Sequence, residues 1–306
     1  MPSHEPRVAV IILNTNKRED TLACLASLAE STWRNLDVIV LDNASTDGSV
    51  AAILERHPSV HVEPLRDNRG YAGNNNVGVA LALARGADWL FVLNEDTILD
   101  PLCIEHLVRY GQVHPKVGIV GPLVFHFDEP GVIQSAGGWF DSWQAGHIGQ
   151  NEEDRGQFAT PRRVDWISGC GIMLRRAVIE QVGMLDERFF YYWEETDWCL
   201  RAERAAWQCA LVPDARLWHK GVVRHYVPSP NVSYYNTRNR LLMMRKHGAS
   251  APRLAVEILG ICRMLTAWAI RPKWRAQREH RRAVVQALGD FARQRWGQRR
   301  ELGARG

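Results

Sequence analysis

Four times in the first hundred residues, a short apolar run gives way to a polar loop and then to a stretch with helical periodicity. Val8 to Leu13 ends in Asn14-Thr15-Asn16-Lys17-Arg18, and Leu22, Leu25, Ala26, Leu28 and Ala29 then share one helical face. Asp37 to Leu41 ends in Asp42-Asn43-Ala44-Ser45-Thr46-Asp47-Gly48-Ser49, where Asp47 or Ser49 is set to cap the next helix. Val60 to Leu65 leads into a Gly- and Asn-rich loop, Arg66 to Asn76, and a helix to Ala84; Asp88 to Leu93 ends abruptly in Asn94-Glu95-Asp96. Continuous apolar runs of this length are strands buried on both faces, and their alternation with helices specifies a parallel sheet with crossover helices. Polar residues at the end of each strand place a ligand site along one edge of that sheet.

Beyond this repeat the periodicity weakens. A helix is expected over about Pro101 to Val113, strands over Val117 to Phe127 and Val132 to Gly138, and a mobile polar excursion over Gly146 to Pro161. Val164 to Leu174 reads as a strand interrupted by Ser168-Gly169-Cys170-Gly171, small residues that let another group approach. A short helix from Arg175 to Val182 precedes Phe189-Phe190-Tyr191-Tyr192-Trp193, which feeds a helix opening on Glu194, Glu195 and Asp197. Gln208 to Pro213 is the last expected strand, followed by Leu217-Trp218-His219-Lys220-Gly221, and residues 231–306 read as three helices.

Composition changes this picture little: 306 residues, 46% hydrophobic and 24% charged, are ordinary for a folded α/β protein. Charge is uneven, since Arg271 onward holds 11 Lys/Arg against three Asp/Glu, whereas the preceding residues are net acidic. Such a tail, with Trp268, Trp274 and Trp296, suits an anionic membrane surface through 251–306, or a helical homodimer interface. No nucleic-acid-binding motif accompanies it, so no nucleic-acid partner is expected. Six cysteines without CxxC pairs fit a reducing cytoplasm, and the N-terminus shows no signal-peptide core. Leu254 to Ile270 is short for a membrane span and carries Glu257 and Arg263.

The candidate chemistry lies in the strand-end loops. Neither GxGxxG after the first strand nor GxxxxGK[ST] occurs, which argues against a nicotinamide-binding or P-loop enzyme. Asp96, with Glu95 and Asn94, can face a divalent metal or simply form an acidic turn; Asp42 can hydrogen-bond a base and ribose or cap a turn. Gly70 and Gly73 allow backbone to approach a diphosphate or satisfy tight turns. Glu194 and Glu195 sit beside an aromatic wall that would desolvate a carboxylate, raising its pKa as a general base requires; the alternative is ordinary acid at a helix start. Asp197 and Arg201 are four apart and expected to pair.

In this order and spacing the segments resemble family 2 glycosyltransferases, which have the GT-A fold. Val10-Ile11 with Leu13-Asn14 resembles the family's opening strand, and Val40 to Ser49 its nucleotide-binding segment. Asn68 to Gly78 resembles its third loop, Leu93 to Asp96 its DxD metal motif, Tyr192 to Arg201 the segment holding the base, and Trp218-His219-Lys220 the late metal-binding histidine. The resemblance implies a GT-A domain over 1–230, with a nucleotide-sugar half (1–120) and an acceptor half (121–230), plus a basic helical extension over 231–306. It implies a mostly parallel central sheet with flanking helices, and inverting transfer from a nucleoside-diphosphate sugar to a saccharide or lipid-linked saccharide in surface polysaccharide biosynthesis. Glu195 would be the base, with Glu194 and then Asp197 as alternatives. Asp96 and His219 would hold Mg²⁺ or Mn²⁺, and Asn14, Asp42, Asn43, Arg69, Gly70, Gly73, Asn74, Asn94 and Glu95 would hold the donor. Asn94 departs from the family's first Asp, and Glu195 stands where Asp is usual. Tyr234-Tyr235-Asn236-Thr237-Arg238-Asn239-Arg240 resembles rhamnosyltransferase-like members, which makes dTDP-rhamnose the favoured donor. The enzyme is then cytoplasmic and peripheral on the inner membrane face. A sugar nucleotidyltransferase, or a non-catalytic nucleotide-sugar-binding module, is the competing reading.

Overall fold

A computed structural model describes residues 5–221, 223–271 and 277–300; Trp274 lies outside the described residues. The chain forms two compact units, Met1–Leu185 with Glu195–His225, and Asp186–Glu194 with Tyr226–Gly306.

The first unit is a layered α/β structure. Its elements in order are β1 (Val8–Asn14), α1 (Arg18–Ala29), β2 (Leu36–Asp42), α2 (Ser49–Arg56), β3 (His61–Pro64), α3 (Gly70–Ala84), β4 (Trp89–Asn94), β5 (Thr97–Leu99), α4 (Cys103–Val113), β6 (Val117–His126), β7 (Ile133–Ser135), β8 (Gly138–Asp141), β9 (Gln144–His147), β10 (Arg162–Val164), β11 (Gly171–Arg175), α5 (Arg176–Val182), α6 (Glu194–Arg204) and β12 (Gln208–His219). The sheet runs β10-β12-β6-β11-β4-β1-β2-β3. Strands β4, β1, β2 and β3 are parallel, as is the β6–β12 pair, and β11 lies antiparallel between β4 and β6.

Strand alternation explains the two-sided core. Along β1, Ala9 and Ile11 join one buried cluster, with Val79 of α3, Val178 of α5 and Trp198 of α6. Val8, Val10 and Ile12 join the other, with Leu25 of α1, Ile53 of α2 and Leu107 of α4. Parallel strands covered on both faces need apolar side chains in both directions, which is why the runs are continuous.

Four expectations are corrected. The segment from Gly70 to Asn76 is the start of α3, not loop. Its asparagines bond both within the helix and beyond it: Asn75 Nδ2 donates to Tyr71 O at 2.9 Å, and Asn76 bonds both N and O of Leu185. The excursion over Gly146 to Pro161 is pinned rather than mobile. Its first residues are in β9, Glu152 O accepts from Ile133 N at 2.8 Å, and Phe158 is buried. The stretch from Val164 to Leu174 is two strands, β10 and β11, whose partners are β12 and β4/β6 respectively. Finally, β12 does not stop at Pro213; a bulge between Val212 and Arg216 absorbs the proline, and pairing resumes to His219.

The second unit holds α7 (Pro230–Lys246), α8 (Ala251–Ile270) and α9 (Arg278–Ala292) with the aromatic segment 186–194. Tyr234 and Tyr235 pack with Ala283 and Ala287, against Phe190 and Tyr192. The 20 residues of α8 include none that is buried, and no helix among the described residues is long and apolar enough to cross a membrane.

Candidate active site

The parallel strands deliver their polar ends to one sheet edge. Asn14, at the end of β1, is fully buried and donates from Nδ2 to Asp42 Oδ1 at 2.9 Å and to Ser45 Oγ at 3.0 Å; its Oδ1 accepts from Thr21 Oγ1. Asp42 Oδ2 accepts from Ser45 N at 3.1 Å, and Asn43 Nδ2 donates to Thr15 Oγ1 at 3.2 Å. At the start of α3, Arg69 N donates to Asn74 Oδ1 and Gly70 N to Asn68 Oδ1, each at 2.9 Å, and Gly70 has a φ of 72°. Gly73 is buried in the next turn.

At the end of β4 the chain turns through Glu95 and Asp96 into β5, which pairs with the last residues of β12, His219 opposite Thr97. That pairing brings His219 Nε2 to 3.0 Å from Asp96 Oδ1. Gln134 Oε1 lies 2.9 Å from His219 Nδ1; as an acceptor it holds the proton there and turns the Nε2 lone pair toward the carboxylate. Asp96 Oδ1 is buried and accepts no hydrogen bond. Two electron-pair donors facing each other at this distance suit a shared cation, and Asn94 Nδ2 stands 3.4 Å from the same imidazole nitrogen. Among the described residues no group of three or more His, Cys, Asp or Glu gathers to hold a metal, so further ligands would have to come from substrate or water.

The electrostatics single out three carboxylates. Burial tends to raise the pKa of Asp96, but a proton on His219 Nε2, standing where a cation would, hydrogen-bonds the carboxylate and holds it below its ordinary range. Glu95 is pushed up to about 7, by burial first and the Asp96 charge second. Glu195, in the first turn of α6, is raised by desolvation despite bonds from its own and the Thr196 backbone N–H; its Oε2 is buried without a hydrogen-bond partner. Gly169 lies beside it: a Cβ there would be 3.8 Å from Glu195 Cδ, an ordinary contact, and 3.2 Å from the Tyr71 hydroxyl, which donates to Gly169 O at 2.6 Å. The neighbouring Cys170 thiol is pushed up to about 12, by burial first, with the charges of Asp96 and Glu195 adding to it, so both carboxylates act on this one thiol.

The model of the family described as Glycosyl transferase family 2 matches residues 9–183, more than half of the chain. The chain is a family 2 glycosyltransferase. Its similarity to the N-acetylglucosaminyl-diphospho-decaprenol L-rhamnosyltransferase of Mycobacterium tuberculosis is 29% identity over 248 residues, covering 73% of this glycosyltransferase and 79% of that protein. The dTDP-rhamnosyl transferase RfbF of Shigella flexneri is 27% identical over 250 residues, covering 78% and 80%. The solved mannosyltransferase PcManGT of Pyrobaculum calidifontis, in complex with GDP-Man and Mn²⁺, shares 15% identity and a TM-score of 0.59 over 95% of this chain and 88% of its own. GalNAc-T7, with UDP, GalNAc and Mn²⁺, gives 0.60 at 14% identity over 77% of this chain and 48% of its own. These likenesses establish the GT-A fold, and the family establishes glycosyl transfer as the reaction.

Within the glycosyltransferase, the structure brings Asn14, Asp42 and Asn43 together at one part of the sheet edge, and Asn94, Glu95, Asp96 and His219 at another. Asp197 is fully buried and bonded to Arg201 Nε at 2.8 Å, the pairing its spacing predicts; Arg201 in turn bonds the carbonyl of Met184. Glu194 is buried at the head of α6. Sequence reasoning missed Gln134, Tyr71 and Gly221. A Cβ on Gly221 would lie 2.4 Å from Asp96 Oδ2. The one signal for Gly221 was its place beside His219; nothing local marks Gln134.

Proposed function

We propose that this glycosyltransferase moves a rhamnosyl residue, with inversion, from dTDP-rhamnose to a saccharide or lipid-linked saccharide acceptor of a surface polysaccharide. The observation that carries the catalytic assignment is the pair of donor groups, Asp96 Oδ1 and His219 Nε2, 3.0 Å apart, with the buried oxygen of Asp96 left without a hydrogen bond. These residues fit Mn²⁺ or Mg²⁺, the mixed oxygen and imidazole set favouring Mn²⁺. When bound, the ion would supply positive charge against the departing diphosphate. Asp42, held by Asn14, reads the base and ribose, while Asn43 and Arg69 to Asn74 hold ribose and phosphate. Glu195 takes the proton from the acceptor hydroxyl as it attacks the anomeric carbon from the face opposite the diphosphate. Desolvation suits it, because a poorly solvated carboxylate binds a proton more tightly than one in water. The rhamnosyl donor rests on the names of the two rhamnosyltransferase relatives and on the Tyr234 to Arg240 pattern.

A thermal-shift screen of dTDP-, UDP- and GDP-sugars, with and without Mn²⁺, tests this reading. Stabilisation by dTDP-rhamnose only when Mn²⁺ is present is expected; a metal-independent response, or preference for UDP compounds, overturns the donor or metal assignment. The enzyme also rests on the cytoplasmic membrane face through α8, whose Leu259 and Ile270 are 67% and 73% exposed beside the basic α9. The full-length Leu259→Glu/Ile270→Glu protein should lose co-sedimentation with anionic liposomes; unchanged co-sedimentation overturns α8 as the membrane contact.

A further inference from the structure

We infer that the second unit carries a binding site for a glycosyl phosphate, a cavity of about 900 Å³ walled by aromatic rings. This rests on the reading of the acceptor as a phosphate-linked saccharide and assigns that acceptor its recognition site. The argument begins with backbone strain. In the run Phe189 to Trp193, Phe190, Tyr192 and Trp193 have φ values of 65°, 70° and 76°, a left-handed conformation that bulky side chains disfavour and that persists only where the surroundings enforce it.

The enforcement comes from one face of α7. Asn239 Nδ2 lies 2.8 Å from the carbonyls of Phe189 and Tyr191 and 2.9 Å from that of Tyr192. Arg238, fully buried, donates to Phe189 O at 2.9 Å, and Asn236 Oδ1 accepts from Trp193 Nε1 at 3.0 Å. These are three of the polar members of the Tyr234 to Arg240 pattern. Their common effect is to fix the direction in which the aromatic rings point.

The rings point into the cavity. Phe190 stacks on Tyr235 with centroids 5.7 Å apart, and Tyr191 and Tyr226 line the same space while remaining 44% and 45% exposed. Flat apolar faces of this kind stack on the C–H faces of pyranose rings. Planar polar groups complete the lining: the amides of Asn231 and Gln298 and the guanidinium groups of Arg282 and Arg299, matched to pairs of vicinal hydroxyls. Glu279 is paired with Arg282 at 2.9 Å, whereas Arg299 bonds the neutral amide oxygens of Asn231 and Gln286, and no carboxylate among the described residues pairs with it. A guanidinium with no carboxylate partner among the described residues, beside an aromatic wall, selects a sugar bearing a phosphate over a neutral glycoside.

The test uses the full-length protein and saturation-transfer NMR with glucose 1-phosphate, N-acetylglucosamine 1-phosphate, their methyl glycosides, thymidine monophosphate and inorganic phosphate. Both glycosyl phosphates should bind more tightly than the methyl glycosides, and Tyr191→Ala and Tyr226→Ala should each weaken them about fivefold. Both rings are half-exposed, so folding should survive; Arg299→Lys should retain saccharide contact but narrow the preference for phosphate. An N-acetylglucosaminyl diphosphate on a short prenyl chain separates the sources: tighter binding identifies a lipid-borne ligand, equal binding a free one. Absence of glycosyl phosphate binding, undiminished binding by the tyrosine variants, or equally tight inorganic phosphate or thymidine monophosphate overturns the proposal. Thermal shift by the donor nucleotide is read on the same proteins. If that response persists while glycosyl phosphates fail, the cavity assignment is wrong; if it is absent, the donor reading itself fails.

Discussion

Replacing Glu195 by Gln tests the assignment of the base with little change in shape. The carboxylate Oε2 is buried without a partner, so an amide of the same size and shape replaces it without breaking a hydrogen bond at that oxygen. Removing a general base costs about 10² to 10⁴ in rate, or roughly 3–5 kcal/mol of transition-state stabilisation. Glu195→Gln should therefore lose at least about a hundredfold in kcat while keeping the wild-type thermal shift with donor nucleotide. The pH dependence has a definite sign. Desolvation raises the folded-state pKa of Glu195, so the acid limb of the wild-type kcat profile should lie above the ordinary glutamate range, with activity rising as pH rises through it. The same shift makes ionisation unfavourable to folding. Below the unfolded pKa the carboxyl is protonated in both states; as pH rises from that value to the raised folded one, the wild type loses stability. Glu195→Gln lacks this loss, so its Tm should gain on the wild type over that interval. The measurements are a coupled assay of released nucleotide and thermal melts from pH 4 to 9. A variant retaining more than about a tenth of wild-type kcat refutes Glu195 as the base, and a Tm difference that shrinks as pH rises refutes the desolvation argument.

Gln134→Leu removes the acceptor that fixes the His219 ring and should weaken Mn²⁺ affinity about 10- to 100-fold, read by Mn²⁺ titration of donor-nucleotide binding. Asp186→Asn breaks contacts to Lys246 Nζ at 2.7 Å and Arg188 Nη2 at 2.6 Å and should cost about 2 kcal/mol at neutral pH in denaturant titration. Burial would raise the Asp186 pKa, but these two cations hold it well below the ordinary range. Its contribution is therefore complete above the ordinary aspartate pKa and declines as pH falls toward the depressed folded value, so wild type and variant should converge in acid.

Much of the fold can be read from the chain because burial leaves a local imprint. Strands β1, β2 and β4 appear as continuous apolar runs since both faces are covered, and α5 and the Asp197–Arg201 pair follow from helical spacing. The strand-end positions of Asn14, Asp42 and Asp96 follow from the same runs. Where polarity suggests irregularity, side chains at Gly70 to Asn76 and backbone groups at Gly146 to Pro161 find partners that composition does not announce.

The sequence by itself determined the parallel sheet, its polar edge and the residue types gathered there. Only tertiary structure decided that His219 meets Asp96, because their meeting depends on the bulge that carries β12 past Pro213 and on its antiparallel pairing with three-residue β5. It also decided that Gln134 orients the imidazole, that Gly169 lies beside Glu195, and that α7 holds the aromatic run Phe189 to Trp193 in a strained turn. The physical reason is the range of the interactions. Periodicity records which face of a short element is buried, while contacts between elements distant in sequence depend on strand register, which shorter patterns do not carry.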